Sequence, residues 1–376
     1  MAKLKHAIVS VTNDLYTDNR VDKICIFLEK QGYSVLLVGR IRKNSNALPI
    51  RSYRTKRMKL LNEKGALFYA EYNFRLFLFL LFHRAALLVS NDLDTLLANY
   101  AASKFKPNAT LVYDSHEYFT EVPELTSRPK IKKIWEGIEA WIFPKLQTIY
   151  TVNESIAQLY RDKYKKDVAV VRNISPTWKP LSVMTKSDLG IPDDKFIIII
   201  QGAGINIDRG AEEAVEAMKH IENAALIIVG DGDVIPQLKL TVTNYDLNEK
   251  VLFFGKRPYS EMMTFTYLAD VGLTLDKPTN LNYKFSLPNK VFDYIHAGTP
   301  IICTDLVEVS AIINKHSIGL ILPELSPENL VEKITYLQQN ASILQEMQSN
   351  CQKASLVENW EHEAQILEQI YPKIGK

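Results

Sequence analysis

Within Ser286–Pro300, reading SLPNKVFDYIHAGTP, a proline, an asparagine, a lysine and an aspartate stand at spacings that suit an anion and its sugar. Pro288 suits a first helical position, where its missing N–H costs nothing, and Gly298 suits the left-handed cap past the end. Val291, Phe292 and Ile295 fall on one face, so the helix has a side to bury. Its first turn presents backbone N–H groups at Asn289 and Lys290, where the helix dipole and the lysine both attract negative charge. Asp293, three residues past Lys290, faces the same way, and its carboxylate can accept from ribose hydroxyls. A phosphate donor at the cap and a sugar acceptor one turn later describe a nucleotide-sugar site. The same letters also open ordinary crossover helices that bind nothing, so the rest of the chain decides between the two.

Other residues join this group. GAGINIDRG (202–210) follows an apolar run; Gly202 and Gly204 allow a tight turn that a pyrophosphate can approach, and Arg209 adds a forked, permanent charge. Ile207 stands where a dinucleotide fingerprint needs its third glycine, and no GK[ST] follows, so neither standard phosphate loop is present. Gly230, Asp231 and Gly232 read as a structural turn, and Lys256 with Arg257 as a basic turn able to line a cleft. In YDSHE (113–117), His116 lies at a strand end beside Asp114 and Glu117, where an imidazole can donate to a sugar hydroxyl or to developing charge. Asn13, Asp14, Asp18, Asn19 and Arg20 occupy another strand end and are candidates for an acceptor. Asp92 and Asp94 mimic an Asp-x-Asp metal pair but read as the cap and first-turn acid of a helix, so no metal ligand is assigned.

These residues need strand ends to hold them. Short β-branched runs alternate with helical stretches, at 6–11, 34–39, 86–90, 110–114, 148–152 and 168–173, then at 196–201, 224–229, 251–254, 271–275, 300–304 and 320–322. The fold expected is α/β, two doubly wound parallel-sheet, Rossmann-like domains facing a cleft. The stretch 174–190, with Pro176 and Pro180, is the best linker, giving domains at 1–178 and 179–355.

At 376 residues, with 47% apolar and 23% charged residues, the chain suits two ordinary soluble domains. Three scattered cysteines make neither a zinc site nor a disulfide framework, which points to a reducing, cytoplasmic setting. The start, MAKLKHAIVSV, reads as a first strand rather than a signal peptide, and no uninterrupted apolar run reaches spanning length. Charge is uneven: residues 40–84 hold eleven Lys or Arg against Glu63 and Glu71. That segment includes the apolar run Phe74–Phe82, which is either a buried helix with a solvated flank or a surface resting on an anionic bilayer. The charge is local and without a binding motif, so nucleic acid is not an expected partner.

Taken in order, NDLYTDNRV, LVYDSHE, YTVNESI, QGAGINIDRG, IIVGDGD, VLFFGK, LPNKVFDYIHAGTPII and NWEHEAQILEQIY resemble the retaining, GT-B fold glycosyltransferases of family 4, which build bacterial surface polysaccharides. The resemblance implies that Arg209 and Lys290 neutralise the diphosphate of a UDP- or GDP-sugar, helped by the N–H groups at Asn289 and Lys290. It implies that Asp293 holds the ribose and that His116 reaches the transferred sugar from the first domain. It further implies a hexosyltransferase that needs no metal or other cofactor; the basic-aromatic segment 40–84 and the strand-end cluster 13–20 favour a glycan or lipid-linked acceptor and a place at the inner face of the membrane. The segment 356–376 would cross back to the first domain. Two departures stand out: Phe285 replaces the earlier of the family's paired glutamates, and Ala203 stands near the place of a loop arginine. A nucleotide-sugar epimerase and a non-catalytic sugar-nucleotide sensor are the competing readings; the first needs no basic membrane patch and the second no His116.

Overall fold

Runs such as FIIIIQG become strands because both of their faces are buried. In β8 (Phe196–Gly202), Ile198 and Ile200 enter one core while Ile197 and Ile199 enter the other. The side-chain alternation of a strand allows this only where helices cover both sides of a sheet. The structure, a computed structural model, describes residues 5–16, 18–126, 128–180 and 184–372.

The first sheet contains β1 (His6–Ser10), β2 (Ser34–Ile41), β3 (Arg54–Lys59), β4 (Leu87–Asn91), β5 (Thr110–Ser115), β6 (Thr148–Thr151) and β7 (Ala169–Val170), in the order β3-β2-β1-β4-β5-β6-β7. The second adds to β8 the strands β9 (Ala224–Gly230), β10 (Val251–Phe253), β11 (Val271–Thr274), β12 (Ile301–Thr304) and β13 (Gly319–Leu322), ordered β10-β9-β8-β11-β12-β13. All pairings are parallel, as in β1 with β2 and β8 with β9. Each sheet is therefore doubly wound, with a reversal of strand order between β1 and β4 and between β8 and β11.

One strand escaped the sequence reading. β3, RTKRMK, runs along the edge beside β2 and buries only Met58. An edge strand needs one protected flank, and lysines there discourage further pairing. The basic character of residues 40–84 is thus partly the chemistry of a sheet edge.

The apolar run belongs to the helix Gly65–Phe82. Phe68, Tyr72, Leu76 and Leu80, four residues apart, pack with Val38, Leu88, Ala98 and Ala102. Leu67, Phe74 and Phe82 remain exposed. By length and composition this helix could cross a bilayer, yet one whole stripe is committed to the core beneath it.

The chain divides into two compact units, Met1–Asn173 with Glu363–Lys376, and Ile174–His362. Returning residues close the first unit: Glu363 accepts from the Arg172 guanidinium at 2.6 and 2.9 Å, and the Tyr150 and Tyr371 hydroxyls meet at 2.8 Å.

In the second unit the last residue of β9 is pressed against the last residue of β8, its ladder partner. A Cβ on Gly230 would lie 1.9 Å from the Gly202 carbonyl oxygen, and its φ of +152° is open chiefly to glycine. Gly230→Ala is expected to destabilise this unit by about 2–3 kcal/mol through clash and backbone strain, read as a lower melting temperature. A melting temperature equal to the wild type would refute the close approach.

Candidate functional site

At the carboxyl ends of β8 and β11, three charged residues meet. Arg209, closing the loop after β8, places Nη1 at 2.8 Å from Oδ2 of Asp276, which is wholly buried just past β11. The guanidinium also lies over the Tyr283 ring, 4.4 Å from its centroid. The pair is incompletely served, since Arg209 Nε and Asp276 Oδ1 are buried without hydrogen-bond partners among the described residues. Lys290 lies within electrostatic reach of both: burial lowers its pKa, Asp276 opposes that, and Arg209 adds to it. Its ammonium has no hydrogen bond or ion pair among the described residues. Two cations against one carboxylate leave an uncompensated positive charge.

That charge stands at a helix start. The helix Asn289–Ala297 has Pro288 as its cap rather than as its first helical residue, and no side chain caps it. The first-turn N–H groups of Asn289 and Lys290 thus add to the local positive potential. Gly298 ends the helix at φ +75°, in the left-handed cap expected of it. Opposite, the loop after β8 is held by its neighbours: Ile205 N–H donates to Asp231 C=O at 3.0 Å, and Ile207 N–H to the Asp233 carboxylate at 3.1 Å. Gly202 has φ +145°. Among the described residues a Cβ on Gly204 would touch Asn206 alone, at 3.6 Å, so none of them demands glycine there. A rigid loop, an uncapped helix and two cations make an anion site.

Two expectations in this unit change. Asp293 does not stand ready for a ribose: it is 5% exposed and accepts from Tyr259 Oη at 2.8 Å, Ser175 Oγ at 3.1 Å and Gln201 Nε2 at 3.4 Å. The buried side of the helix is wider than Val291, Phe292 and Ile295 alone and includes Asp293 and Tyr294. The carboxylate therefore ties the helix to the end of β8 and to the helix Tyr259–Leu268. Lys256 is exposed after β10 and makes no side-chain hydrogen bond or ion pair among the described residues, so nothing joins it to the Arg209 group. Asp276 and Tyr283 were missed; the only available signal was a carboxylate directly after a strand.

The first unit has its own polar group, between β4 and β5. The His116 N–H donates to Asp92 Oδ1 at 2.8 Å, and its ring places Nε2 3.1 Å from Asn91 Oδ1. Nδ1 lies 3.4 Å from Asp92 and Nε2 3.4 Å from Asp114. Burial works against the charged ring, but the flanking Asp92 and Asp114 outweigh it and raise its pKa to about 9. The ring is thus an imidazolium at neutral pH, suited to stabilising negative charge rather than to taking a proton.

Here too the acceptor-side assignments need correction. Arg20 is buried and grips Asp114 through Nη2 at 2.7 Å and Nε at 3.2 Å, while Nη1 donates to the Val171 carbonyl. Burial opposes ionisation of Asp114, yet Arg20 and His116 hold its pKa down at about 2. Asp18 caps the helix Asn19–Lys30 by accepting from Val21 N–H, and also accepts from Asn13 Nδ2 at 2.6 Å. Asn13 in turn accepts from Leu15 N–H. These residues build a loop, and only Asn19 is left exposed on the first turn. Asp92 sits at the cap position of the helix Leu93–Lys104 without capping it, at φ +56°, with its carboxylate turned to His116. Asp94 accepts from Thr12 Oγ1, and burial with Asp92 pushes its pKa up to about 7. Glu117 is raised to about 8, by burial and then by Asp92 and Glu124.

The geometry of His116 has a pH signature. Its folded pKa lies above the ordinary 6.5, so its stabilisation is complete below pH 6.5 and fades as pH rises through about 9. In His116→Gln that component vanishes, so the melting temperatures of wild type and variant should converge across this window. Parallel melting curves at all pH values would refute the imidazolium.

Two doubly wound parallel-sheet units joined in this way define a GT-B type fold. The chain overlays sucrose-phosphate synthase of Thermosynechococcus elongatus with a TM-score of 0.77 at 15% identity, covering 98% of both chains. It overlays Alr3699/HepE of Anabaena in complex with UDP and glucose with a TM-score of 0.71 at 14% identity, covering 97% of this chain and 98% of that one. Residues 185–355, which contain Arg209, Asp276 and Lys290, match the family described as Glycosyl transferases group 1, so the second unit carries a glycosyltransferase domain. The lipopolysaccharide core biosynthesis glycosyltransferase LpsD of Rhizobium meliloti (strain 1021) is 27% identical over 114 residues, 30% of this chain. The match spans 33% of that relative's length.

Proposed function

We propose that the protein is a retaining glycosyltransferase. It moves a sugar from a UDP- or GDP-linked donor to a hydroxyl of a glycan or lipid-linked acceptor. The Arg209–Asp276–Lys290 group at an uncapped helix start, inside a glycosyltransferase domain, carries this reading. A nucleoside diphosphate leaving group develops charge as its bond to the sugar breaks, and fixed cations with helix N–H groups stabilise that charge without a metal. The UDP in the Anabaena structure gives the donor class further support.

Front-face displacement suits the carboxylates present. Asp276 is paired with Arg209, and Asp293 is held by Tyr259, Ser175 and Gln201, so neither is poised as a nucleophile. The acceptor oxygen bonds to the anomeric carbon, the bond to the diphosphate breaks, and the acceptor proton passes to the leaving oxygen. An epimerase would convert the donor without an acceptor, and a sensor would bind it without releasing sugar.

Lys290→Ala should leave the melting temperature of the free protein unchanged, because the ammonium has no hydrogen bond or ion pair among the described residues. The rise in melting temperature with UDP or GDP should disappear, and transfer should fall by about 10²–10³-fold. Wild-type turnover in this variant would exclude the site.

We also place the protein in the cytoplasm at the inner membrane face, held by residues 40–84. Lys56 and Lys59 are exposed on the edge strand, and Leu67, Phe74 and Phe82 of the same segment are exposed on its helix. The double variant Lys56→Gln/Lys59→Gln should weaken sedimentation with anionic vesicles on the order of 30-fold, at about 1 kcal/mol per basic residue. Equal sedimentation of variant and wild type would remove the membrane from this account.

A further inference from the structure

A site built only to grip an anion gains nothing from a buried carboxylate, because a fixed negative charge beside the cations weakens every anion they hold. Asp276 is such a charge. It is wholly buried, accepts from Arg209 Nη1 at 2.8 Å, and keeps Oδ1 without a hydrogen-bond partner among the described residues. It is also fixed in place. Its own carbonyl accepts from the Thr304 hydroxyl at 2.7 Å, and the next N–H, that of Lys277, donates to the Asp208 carbonyl at 2.9 Å. Leu275, just before it, presses on Gly210, just after Arg209: a Cβ on Gly210 would lie 2.4 Å from the Leu275 Cβ. Arg209 and Asp276 therefore share one rigid seam, and the carboxylate cannot retreat when an anion arrives. The neighbouring Lys277 is taken by Glu213 at 2.7 Å, which leaves Arg209 and Lys290 as the cations that face Asp276.

In the empty site the carboxylate has a plain use. It offsets the repulsion between two cations that the fold holds close together. A bound diphosphate supplies that negative charge itself, and Asp276 then becomes a like charge beside it.

How much this costs depends on the charge of the ligand. Each phosphate of a nucleotide sugar is substituted on both sides and carries a single charge. During transfer the acceptor proton passes to the leaving oxygen, so the terminal phosphate of the freed nucleotide is substituted on one side alone. It gives that proton up to solvent above about pH 6. The spent nucleotide thus carries one more negative charge than the donor did, at the end where the sugar was attached.

We infer that Asp276 is a discriminating counter-ion, which admits the diphosphate of the sugar donor and disfavours the more highly charged nucleoside diphosphate left after transfer. The spent nucleotide is released instead of remaining as an inhibitor. Asp276 makes and breaks no bond; it acts through the charge balance it shares with Arg209 and Lys290. The assignment deepens the transferase reading and rests on it for the donor and the product.

Calorimetric titration of the full chain, at about pH 8 where the terminal phosphate is fully ionised, tests this with two matched pairs: UDP and its terminal methyl ester, and GDP and its own. Within each pair the ligands differ by a methyl group and one charge. In the wild type the free diphosphate should bind no more tightly than its ester. Asp276→Asn keeps an oxygen for Arg209 and loses the charge. The free diphosphate should then bind at least about tenfold more tightly and the ester by a smaller factor, shifting their ratio by at least about threefold. Asp276→Glu should keep the wild-type ratio. Equal changes for both ligands in Asp276→Asn would overturn the inference and leave the carboxylate as a support for Arg209. Should that variant not fold, the wild type decides alone, and tighter binding of the free diphosphate than of its ester would overturn it. Either result leaves the transferase reading standing, whereas a wild type that binds neither nucleotide nor ester removes that reading and the inference with it.

Discussion

A parallel sheet covered on both faces has no room for polar chemistry along its strands. Ile197 to Ile200 alternate between two cores, and Ala224 to Val229 do the same, so every side chain in the middle of β8 and β9 is committed to packing. Polar groups can collect only where the strands end and the helices have not yet closed over them. Asn91, Asp114, Gln201 and Asp276 all stand at such ends, and each is buried. The strand ends therefore concentrate charge in a low-dielectric place, and the remaining architecture answers that concentration.

The answers differ between the two units. In the first, Asp114 is matched by a bidentate guanidinium and a charged imidazole, so its demand for positive charge is met internally. Truncating either partner of such a buried pair leaves an uncompensated ion, which makes the arrangement rigid. In the second, Asp276 has one cation in contact and another within reach, with atoms on both sides of the pair unserved. One group is complete, and the other keeps polar atoms without partners among the described residues. Residue types alone do not separate these states; the count of partners does.

This difference explains what the sequence could convey. The two-sided burial of the strands was legible because it writes continuous apolar runs, and the glycine that ends the 289–297 helix was legible because caps are local. β3 was not, since an edge strand with one buried side chain carries no such run. Arg20 and Asp293 read as ligand contacts because a charged residue near a strand end looks alike whether it faces a substrate or a neighbour. Their partners are remote: Asp114 is 94 residues from Arg20, and Ser175 is 118 from Asp293. Asp276 was overlooked for the same reason, its partner Arg209 lying 67 residues away.

The route of the chain carries one more consequence. The second unit begins at Ile174 and ends at His362, and the Trp360 N–H donates to the Ser175 carbonyl, so its two ends lie side by side. Topologically it is an insertion into the first unit, whose returning pieces, Glu363 and Tyr371, are made only after the whole of the second unit. During synthesis the unit that starts first must finish last: Arg172 and the Tyr150 hydroxyl wait, unpartnered by Glu363 and Tyr371, while some two hundred residues are made and folded. A chain stalled or clipped before Glu363 would thus carry its defect in the half of the molecule that was translated earliest.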